Sequence, residues 1–336
     1  MTGAKTPLAV TMGDPAGCGP QITVSAWKDR DALGLPPFFV IADPRLFAGH
    51  VPVTEISKPS DVRSAFGSVL PVLPIEMEAG DRVKAGHPSS DYAGAITESI
   101  ATATKLCLSG DAAAVVTNPI SKAILYEAGF TFPGHTEYIA DLCSTPDKSI
   151  KPVMMLVGGG LNVALATIHV PLMRVLDHLT PDTLTKTAII THQALQHDFG
   201  IASPRLAFTG LNPHAGEGGT IGSEERDIIN PVAQALRSRG VDISDARPGD
   251  TVFHEALSGA FDAVIAMTHD QGLIPVKTLD MWGGVNTTLG LPIIRTSPDH
   301  GTAYEAAAEG TCRPDSLIAA LRLADKMAKQ RAQSHD

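Results

Sequence analysis

The chain has 336 residues, of which 43% are hydrophobic and 18% charged, with a formal net charge of -10. This composition supports one large or two modest globular domains, and its acidity argues against nucleic acid as the main partner. The four cysteines lie far apart without a CxxC pair, and the N-terminus has no secretory signal pattern, so we expect a cytoplasmic protein.

The first glycine-rich loop follows a short apolar strand predicted at 8–12. It reads GDPAGCGP and leads into a helical pattern at 21–28. Gly13, Asp14 and Gly17 lie in this loop, where backbone N–H groups and a helix N-terminus could approach an anion or a cofactor. The spacing does not match the GxGxxG dinucleotide pattern, so a plain tight turn is the alternative.

Strands and helices then alternate along the middle of the chain. Apolar runs predict a helix at 91–108 and a strand at 112–116. The run at 153–170 is broken by three glycines, which predicts two strands joined by a turn and no membrane span. His135 and Thr136 open a further helix, with Thr136 as its expected cap. This alternation predicts an α/β fold with mostly parallel sheets.

Three histidines, His169, His214 and His269, each come directly after an apolar run that predicts a buried strand. In open α/β sheets ligands bind at the carboxyl ends of the strands, so the three imidazoles could meet at one sheet edge or across an interface. Converging neutral imidazoles are a common transition-metal site that leaves a position open for substrate. Ordinary surface or capping histidines are the alternative.

The second of these histidines lies in the stretch LNPHAGEGGTIGSEER, residues 211–226. We expect a glycine-rich loop and then a helix capped by Ser223. The carboxylates of Glu224 and Glu225 would face the positive end of the helix dipole. His214 is therefore expected between the end of a buried strand and the start of a helix.

The last third of the chain adds cationic and polar side chains after similar turn residues. Lys277 and Arg295 are predicted at strand ends, and Asn286 lies in GGVNTTLG. Both cations could neutralise a phosphate near the candidate metal, with ordinary surface charges as the alternative. A second glycine-bearing loop, TSPDHGTAYEAA at 296–307, contains Gly301 and is a second candidate place for a cofactor.

Several sequence blocks occur in order between about residue 8 and about residue 327. They are TMGDPAGCGP, GHTEY, ATIHVPL, LNPHAGEGG, AMTHDQGLIPVK and GVNTTLGLPIIRTSPDHGTA. Together they resemble the 4-hydroxythreonine-4-phosphate dehydrogenase family of pyridoxal phosphate biosynthesis. The resemblance implies an isocitrate/isopropylmalate dehydrogenase-like α/β fold, with two domains around a central cleft and a homodimer whose active site is shared between subunits. We place the first domain at 1–133 together with 280–336, on the cofactor side, and the second at 134–279, on the metal and dimer side.

The resemblance also implies roles for individual residues. The metal ligands would be His169, His214 and His269, and the substrate contacts His135, Thr136, Lys277, Asn286 and Arg295. Asp250, in GDTVF, and Lys277 are the candidate general bases. The candidate contacts of NAD or NADP are Gly13, Asp14, Gly17 and Gly301. Cys18 and Gln21 stand where the family usually has isoleucine and an acidic residue, so the chain departs from the family beside its glycine loop.

The implied reaction is the oxidation of 4-phosphooxy-L-threonine at C3 by NAD, with a divalent zinc, magnesium or cobalt ion, followed by decarboxylation to 3-amino-2-oxopropyl phosphate. A paralogous dehydrogenase of D-threonate or D-erythronate 4-phosphate is the first alternative. A phosphate acyltransferase of similar fold and a non-catalytic metal-dependent binding module are the others. The expected partners are a small phosphorylated hydroxy-amino acid and a second copy of the chain.

Overall fold

The computed structural model describes residues 6–78, 80–145 and 149–334. Contacts divide the chain into two compact units. The first is drawn from Met1–Pro152 and Leu291–Ala328, and the second from Val153–Gly290 and Lys329–Asp336.

Strands and helices alternate through the described residues, which confirms the predicted α/β class. The strands are β1 (Leu8–Thr11), β2 (Phe38–Ala42), β3 (Val53–Glu55), β4 (Leu70–Pro74), β5 (Val115–Val116), β6 (Val153–Gly158), β7 (Leu161–Leu165), β8 (Arg205–Phe208), β9 (Asp242–Ile243), β10 (Ala263–Ala266), β11 (Val285–Leu289) and β12 (Arg295–Pro298). The helices are α1 (Gly19–Lys28), α2 (Arg30–Leu33), α3 (Val62–Ala65), α4 (Ala93–Leu108), α5 (Lys122–Glu127), α6 (His135–Cys143), α7 (Val175–His178), α8 (Pro181–His197), α9 (Asn230–Arg237), α10 (Val252–Leu257), α11 (His269–Leu279), α12 (Tyr304–Glu309) and α13 (Asp315–Ser334). Within the described ranges, no helix has the length and apolar character needed to cross a membrane.

The first unit contains strands in the order β3-β4-β2-β1-β5-β12, and their registered pairs are parallel. β1 and β2 are buried along their whole length, as a parallel sheet covered on both faces requires. β12 is also fully buried although it reads RTSP, and Arg295 pairs with Val115 of β5. The prediction that Arg295 ends a strand is wrong, because the apolar run at 291–294 precedes the strand and Arg295 begins it.

The second unit contains strands in the order β11-β6-β7-β10-β8-β9. β6 and β7 are the predicted pair joined by a turn, where Gly159 and Gly160 adopt φ values of 59° and 84°. β6 is antiparallel to both β7 and β11, whereas β7, β10, β8 and β9 pair in parallel. The sheets are therefore mostly parallel, as predicted.

The strands that lead to the three histidines end earlier than predicted. β7 ends at Leu165, β8 at Phe208 and β10 at Ala266. Beyond these points residues such as Ala166, Leu211 and Met267 still pack against the core of the unit, so their apolar character extends past the hydrogen-bonded ladder. A short irregular segment consequently separates each histidine from its strand.

Helix α6 begins two residues earlier than the predicted cap implies. Gly134 precedes it, and the first turn closes with a 3.2 Å hydrogen bond from the N–H of Tyr138 to the carbonyl of Gly134. Thr136 therefore lies inside the helix, and its prediction as the cap is wrong. α6 packs on α4 in the first unit, whereas the predicted second domain begins at residue 134. The division into domains at 134 and 280 stays a prediction.

Candidate active site

Two of the predicted metal ligands lie side by side in the second unit. The ring centroids of His169 and His269 are 5.6 Å apart, and the ring planes meet at 41°. Nδ1 of His269 lies 2.8 Å from Oδ1 of Asp270. Such a carboxylate favours the tautomer with hydrogen on Nδ1, which leaves the Nε2 lone pair for a metal. This imidazole pair suits a divalent ion that accepts nitrogen ligands.

The third histidine lies in a strained loop. His214 has φ 51°, and the next four residues have φ values of 51°, 76°, 43° and 67°. His169 also adopts a positive φ, 48°. Left-handed backbone at non-glycine residues is unfavourable and concentrates at functional sites. Within the described residues, no three His, Cys, Asp or Glu side chains form a group able to hold a metal. The structure thus brings His169 and His269 together without His214.

The His214 loop is held by a buried carboxylate. Glu225 is 3% exposed, and its Oε1 accepts a 2.7 Å hydrogen bond from the N–H of Asn212. The side-chain amide of Asn212 donates to Oε2 of Glu224 at 2.7 Å. A Cβ at Gly216 would lie 2.5 Å from Oε2 of Glu225, so only glycine fits there. Glu225 lies in the first turn of the helix, as expected, and this helix opens with a π-helical turn, Glu225–Ile229. Its carboxylate, however, binds the loop through the N–H of Asn212.

The other predicted site residues of the second unit lie on separate elements. Asp250 is exposed just before α10, and Asn286 is partly buried on β11 opposite Leu156. Lys277 is partly buried in the last turn of α11. Its prediction at a strand end is wrong, because the apolar residues before it belong to this helix, which also accommodates Pro275.

A buried arginine marks the site residues of the first unit. Arg295 is 3% exposed, and its Nη2 and Nε donate to Oγ1 of Thr117 at 2.7 and 3.2 Å. Burial lowers the pKa of Arg295 to about 10, against the opposing effect of the Glu137 carboxylate. A guanidinium held at this depth is costly to keep charged, so the arrangement favours an anionic ligand.

His135 completes what we call the cationic cluster, which consists of Lys122, His135 and Arg295. Among the described residues, its buried Nε2 has no hydrogen-bond partner. Burial, and then the charges of Arg295 and Lys122, hold the pKa of His135 well below its ordinary value, so the imidazole is neutral. Nζ of Lys122 lies 3.6 Å from the position that a Cβ on Gly134 would occupy. Thr136 follows in the first turn of α6, whose N-terminal N–H groups also favour an anion.

Sequence reasoning missed Lys122 and Thr117 as members of this site. Both belong to the segment TNPISK that follows β5. The position of this segment at the carboxyl end of a buried strand was the available signal.

The two glycine-bearing loops, predicted as separate cofactor places, lie against each other in the first unit. The N–H of Cys18 donates to the carbonyl of Thr302 at 2.8 Å. The hydroxyl of Tyr304 donates to Oδ2 of Asp14 at 2.6 Å. Asp14 is fully buried, and its Oδ1 accepts from the N–H of Ala16 at 2.9 Å. Burial raises the pKa of Asp14, against the lowering effect of these hydrogen bonds. Asp14 therefore joins the two loops.

The glycines of the first loop are required by backbone packing. A Cβ at Gly13 would lie 2.8 Å from the carbonyl oxygen of Pro119, and one at Gly17 would lie 2.8 Å from that of Thr302. The N–H of Gly17 donates to the carbonyl of Asp14. The N–H groups of residues 17 and 18 are thus already used within the protein. Gly301, by contrast, is exposed with open space around it.

A cavity of about 750 Å³ opens beside this loop in the first unit. Its lining includes Pro15, Gly17, Gln21, Val24, Arg45 and His50. The volume lies within the range of small-molecule sites, and the apolar residues could pack against a planar ring. The guanidinium of Arg45 is paired with the buried carboxylate of Asp43 and donates to the carbonyl of Met77 at 2.6 Å.

Comparisons with known proteins identify relatives of this chain. The sequence profile of the family described as pyridoxal phosphate biosynthetic protein PdxA matches residues 36–324. A 4-hydroxythreonine-4-phosphate dehydrogenase of Maricaulis maris is 50% identical over 97% of this chain and 99% of its own. A crystal structure of the enzyme of that name from Klebsiella pneumoniae superposes with a TM-score of 0.85 at 34% identity, covering 96% of this chain and all of that one. A terephthalate 1,2-cis-dihydrodiol dehydrogenase of Burkholderia xenovorans gives a TM-score of 0.65 at 26% identity, covering 96% of this chain and 98% of that one.

These relatives are dehydrogenases, and the prediction that the chain is an oxidoreductase is confirmed. The match extends over nearly the whole sequence and includes both compact units. The chain belongs to the PdxA family of pyridoxal phosphate biosynthetic proteins.

Proposed function

We propose that the protein oxidises 4-phosphooxy-L-threonine at C3 with NAD and decarboxylates the product to 3-amino-2-oxopropyl phosphate. The cationic cluster is the observation that carries this proposal. A buried guanidinium beside an imidazole nitrogen without a partner suits an anionic group that also accepts or donates a hydrogen bond. A phosphate ester meets both requirements, and the family name agrees with it.

In this proposal Arg295 binds the phosphate through its fixed donor fork, and Lys122 adds a second positive charge. His135 stays neutral because of its lowered pKa, so its Nε2 can form one directed hydrogen bond with the substrate. Thr136 contributes from the next position of α6. Lys277 and Asn286 are the remaining proposed substrate contacts.

The proposed metal ligands are His169, His214 and His269. When bound, a zinc, magnesium or cobalt ion would supply a Lewis acid that lowers the pKa of the C3 hydroxyl, and NAD would supply a hydride acceptor. Asp250 or Lys277 then accepts the hydroxyl proton as the C3 hydrogen departs with its electron pair. In the resulting β-keto acid, the C1–C2 bond breaks, carbon dioxide leaves and C2 takes up a proton.

We place the cofactor beside the glycine loop, near Gly13, Asp14, Gly17 and Gly301. The adjoining cavity supports this placement, as does the open backbone at Gly301. Because the N–H groups of residues 17 and 18 are used within the protein, contacts to the cofactor would come from side chains and from the 301 backbone. NAD and NADP are both candidates.

We further propose a homodimer whose subunits share each active site. Large apolar side chains follow the first histidine: Leu172 is 79% exposed and Met173 93%. Ile274, on the helix that begins at His269, is 64% exposed. Leu172 and Met173 are adjacent in the chain, and contiguous exposed apolar surface usually marks an interface. A second copy would cover them and could bring a histidine of one subunit to the pair in the other.

The decisive experiment follows NADH absorbance with a panel of substrates. We expect turnover of 4-phosphooxy-L-threonine, little turnover of 4-hydroxy-L-threonine without the phosphate, and reversible loss of activity on chelation. Faster turnover of D-threonate or D-erythronate 4-phosphate would reassign the substrate to the sugar acids. Equal use of the unphosphorylated amino acid, or full activity in metal-free protein verified by elemental analysis, would refute the phosphate or the metal part of the proposal.

A further inference from the structure

One glutamine joins the ends of two neighbouring strands in the second unit. Gln271 lies in the first turn of α11, and its Oε1 accepts hydrogen bonds from Oγ1 of Thr209 at 2.7 Å and from the N–H of Met267 at 2.9 Å. Its Nε2 donates to the carbonyl of Gly210 at 2.7 Å. Thr209 and Gly210 follow β8, and Met267 follows β10. The carboxamide therefore fixes the points where the chain leaves both strands.

A third segment packs on the same carboxamide. A Cβ at Gly249 would lie 2.9 Å from Nε2 of Gln271, so the backbone at 249 approaches the amide closely. This segment is also tied to the end of β8, because the N–H of Gly210 donates to the carbonyl of Arg247 at 2.7 Å. Asp250 follows Gly249 directly. Gln271 thus contacts the residues that lead into each of the three segments carrying His214, Asp250 and His269.

The chemistry of this position selects a carboxamide. Oε1 receives two donors while Nε2 donates to a carbonyl, so a carboxylate would lose the donor and place a negative charge against the oxygen of Gly210. A methionine of similar length would leave the hydroxyl of Thr209 and the carbonyl of Gly210 without this partner. Thr209 and Met267 are fully buried, and unsatisfied polar groups at such depth are costly. The position therefore requires both the acceptor and the donor of a carboxamide.

We propose that Gln271 is a positioning residue that sets the mutual placement of the segments bearing His214, Asp250 and His269. The inference rests on the proposed function only in assigning metal binding and base chemistry to those three residues. The positioning itself follows from the hydrogen bonds. Gln271 contacts backbone and a threonine, so we expect it to act through the residues that it places.

The test uses Gln271→Met and Thr209→Val, with Thr209→Ser as the matched control that keeps the hydroxyl. Hydrogen–deuterium exchange of peptides covering 210–218 and 247–251 reports placement, and cobalt(II) titration, followed by visible absorption, reports the histidine site. In Gln271→Met we expect roughly tenfold or faster exchange in both peptides, since each loses a buried hydrogen bond or packing contact. Cobalt affinity should fall by roughly ten- to a hundredfold, as for other residues that support metal ligands. Thr209→Val should give a smaller change of the same kind, and Thr209→Ser should match the parent.

Unchanged exchange in a folded Gln271→Met protein would overturn the proposal. If that variant does not fold, Thr209→Val decides, because it removes, at nearly constant volume, the hydroxyl that donates to Gln271 and accepts from the N–H of Met267. Exchange equal to that of Thr209→Ser would refute the positioning role. A parent protein that binds no cobalt would refute the metal part of the proposed function, and the exchange data would still decide the role of Gln271. Catalysis gives a further readout, because misplacement should lower kcat more than it raises the KM for the phosphorylated substrate.

Discussion

Replacing Arg295 separates its role in binding from its effect on stability. Burial lowers its pKa from 12.5 to about 10. At about 1.36 kcal/mol per pKa unit, keeping the guanidinium charged at neutral pH costs the folded protein about 3 kcal/mol. The hydrogen bonds to Thr117 return only about 1 kcal/mol each in net stability. Burial of this charge thus opposes folding, and an anion bound beside the guanidinium would offset part of that cost.

We therefore expect Arg295→Met to be at least as thermostable as the parent in the absence of anions, because the variant removes the cost of burying a charge. Affinity for the phosphorylated substrate, unlike thermal stability, should fall. Loss of charge-assisted hydrogen bonds worth about 1.5–3 kcal/mol lowers kcat/KM for the phosphorylated substrate by roughly ten- to a hundredfold, mainly through KM. Arg295→Lys keeps a charge without the donor fork and should be intermediate.

Thermal denaturation across a series of inorganic phosphate concentrations measures both effects. The melting temperature of the parent should rise with phosphate, because a ligand that binds only the folded state stabilises it in proportion to the logarithm of its concentration. Arg295→Met should lose most of that rise. Thr117→Val is the matched control, since it removes the oxygen that orients the guanidinium and keeps the charge. A variant that responds to phosphate as strongly as the parent, or melts far lower without phosphate, would refute the reasoning.

The remaining predictions concern a titration, a loop and the subunit interface. The pKa of His135 lies well below its ordinary value, so as pH falls below about 6.5 the unfolded chain takes up a proton that the folded protein does not. Stability should fall there, and His135→Asn should flatten the curve of melting temperature against pH. Gly216→Ala should destabilise more than Gly218→Ala: both positions have positive φ, but only the Cβ at 216 would meet Glu225, and equal melting temperatures would contradict the clash. His169→Ala and His214→Ala should each be inactive, yet refolding them together should recover roughly a quarter of parental activity if His214 of one subunit completes the His169 and His269 pair of the other. Mixed dimers that remain inactive would place all three ligands in one chain.

The sequence predicts the architecture well because burial determines it. Short apolar runs bounded by turn residues, such as 38–42, are typical of strands covered on both faces, and three glycines inside an apolar stretch favour a turn at 158–160. The errors arise where polar residues are buried. β12 reads RTSP and is fully buried at the end of its unit's strand order, so a hydrophobicity pattern assigns the strand to the apolar residues before it. Arg295 was predicted as a site residue but not as the first residue of a strand.

A sequence pattern does not predict which side chains of the site contact each other. Nothing in the local sequence indicates that Glu225 turns from its helix into the His214 loop, because SEE at a helix start equally suits the dipole. Gln271 gave no signal for the same reason, since each of its partners is distant in sequence or belongs to the backbone. Such residues are recognised only when strand ends, loop and helix are in place together.

The contacts of Glu225 explain how the strained backbone around His214 is kept in place. His169, His214, Ala215 and Glu217 all adopt left-handed φ values, which cost of the order of 1 kcal/mol or more apiece for residues with a Cβ. The loop would relax unless other contacts outweighed that cost. Glu225 holds Asn212 before the strained residues, and Gly216 packs against the same carboxylate in their midst. Because the carboxylate is 3% exposed, its hydrogen bonds face little competition from water, and breaking them would strand a buried charge. The left-handed turn takes the backbone at His214 out of its relaxed conformation. The contacts of the Glu225 carboxylate stabilise this strained conformation relative to the relaxed one.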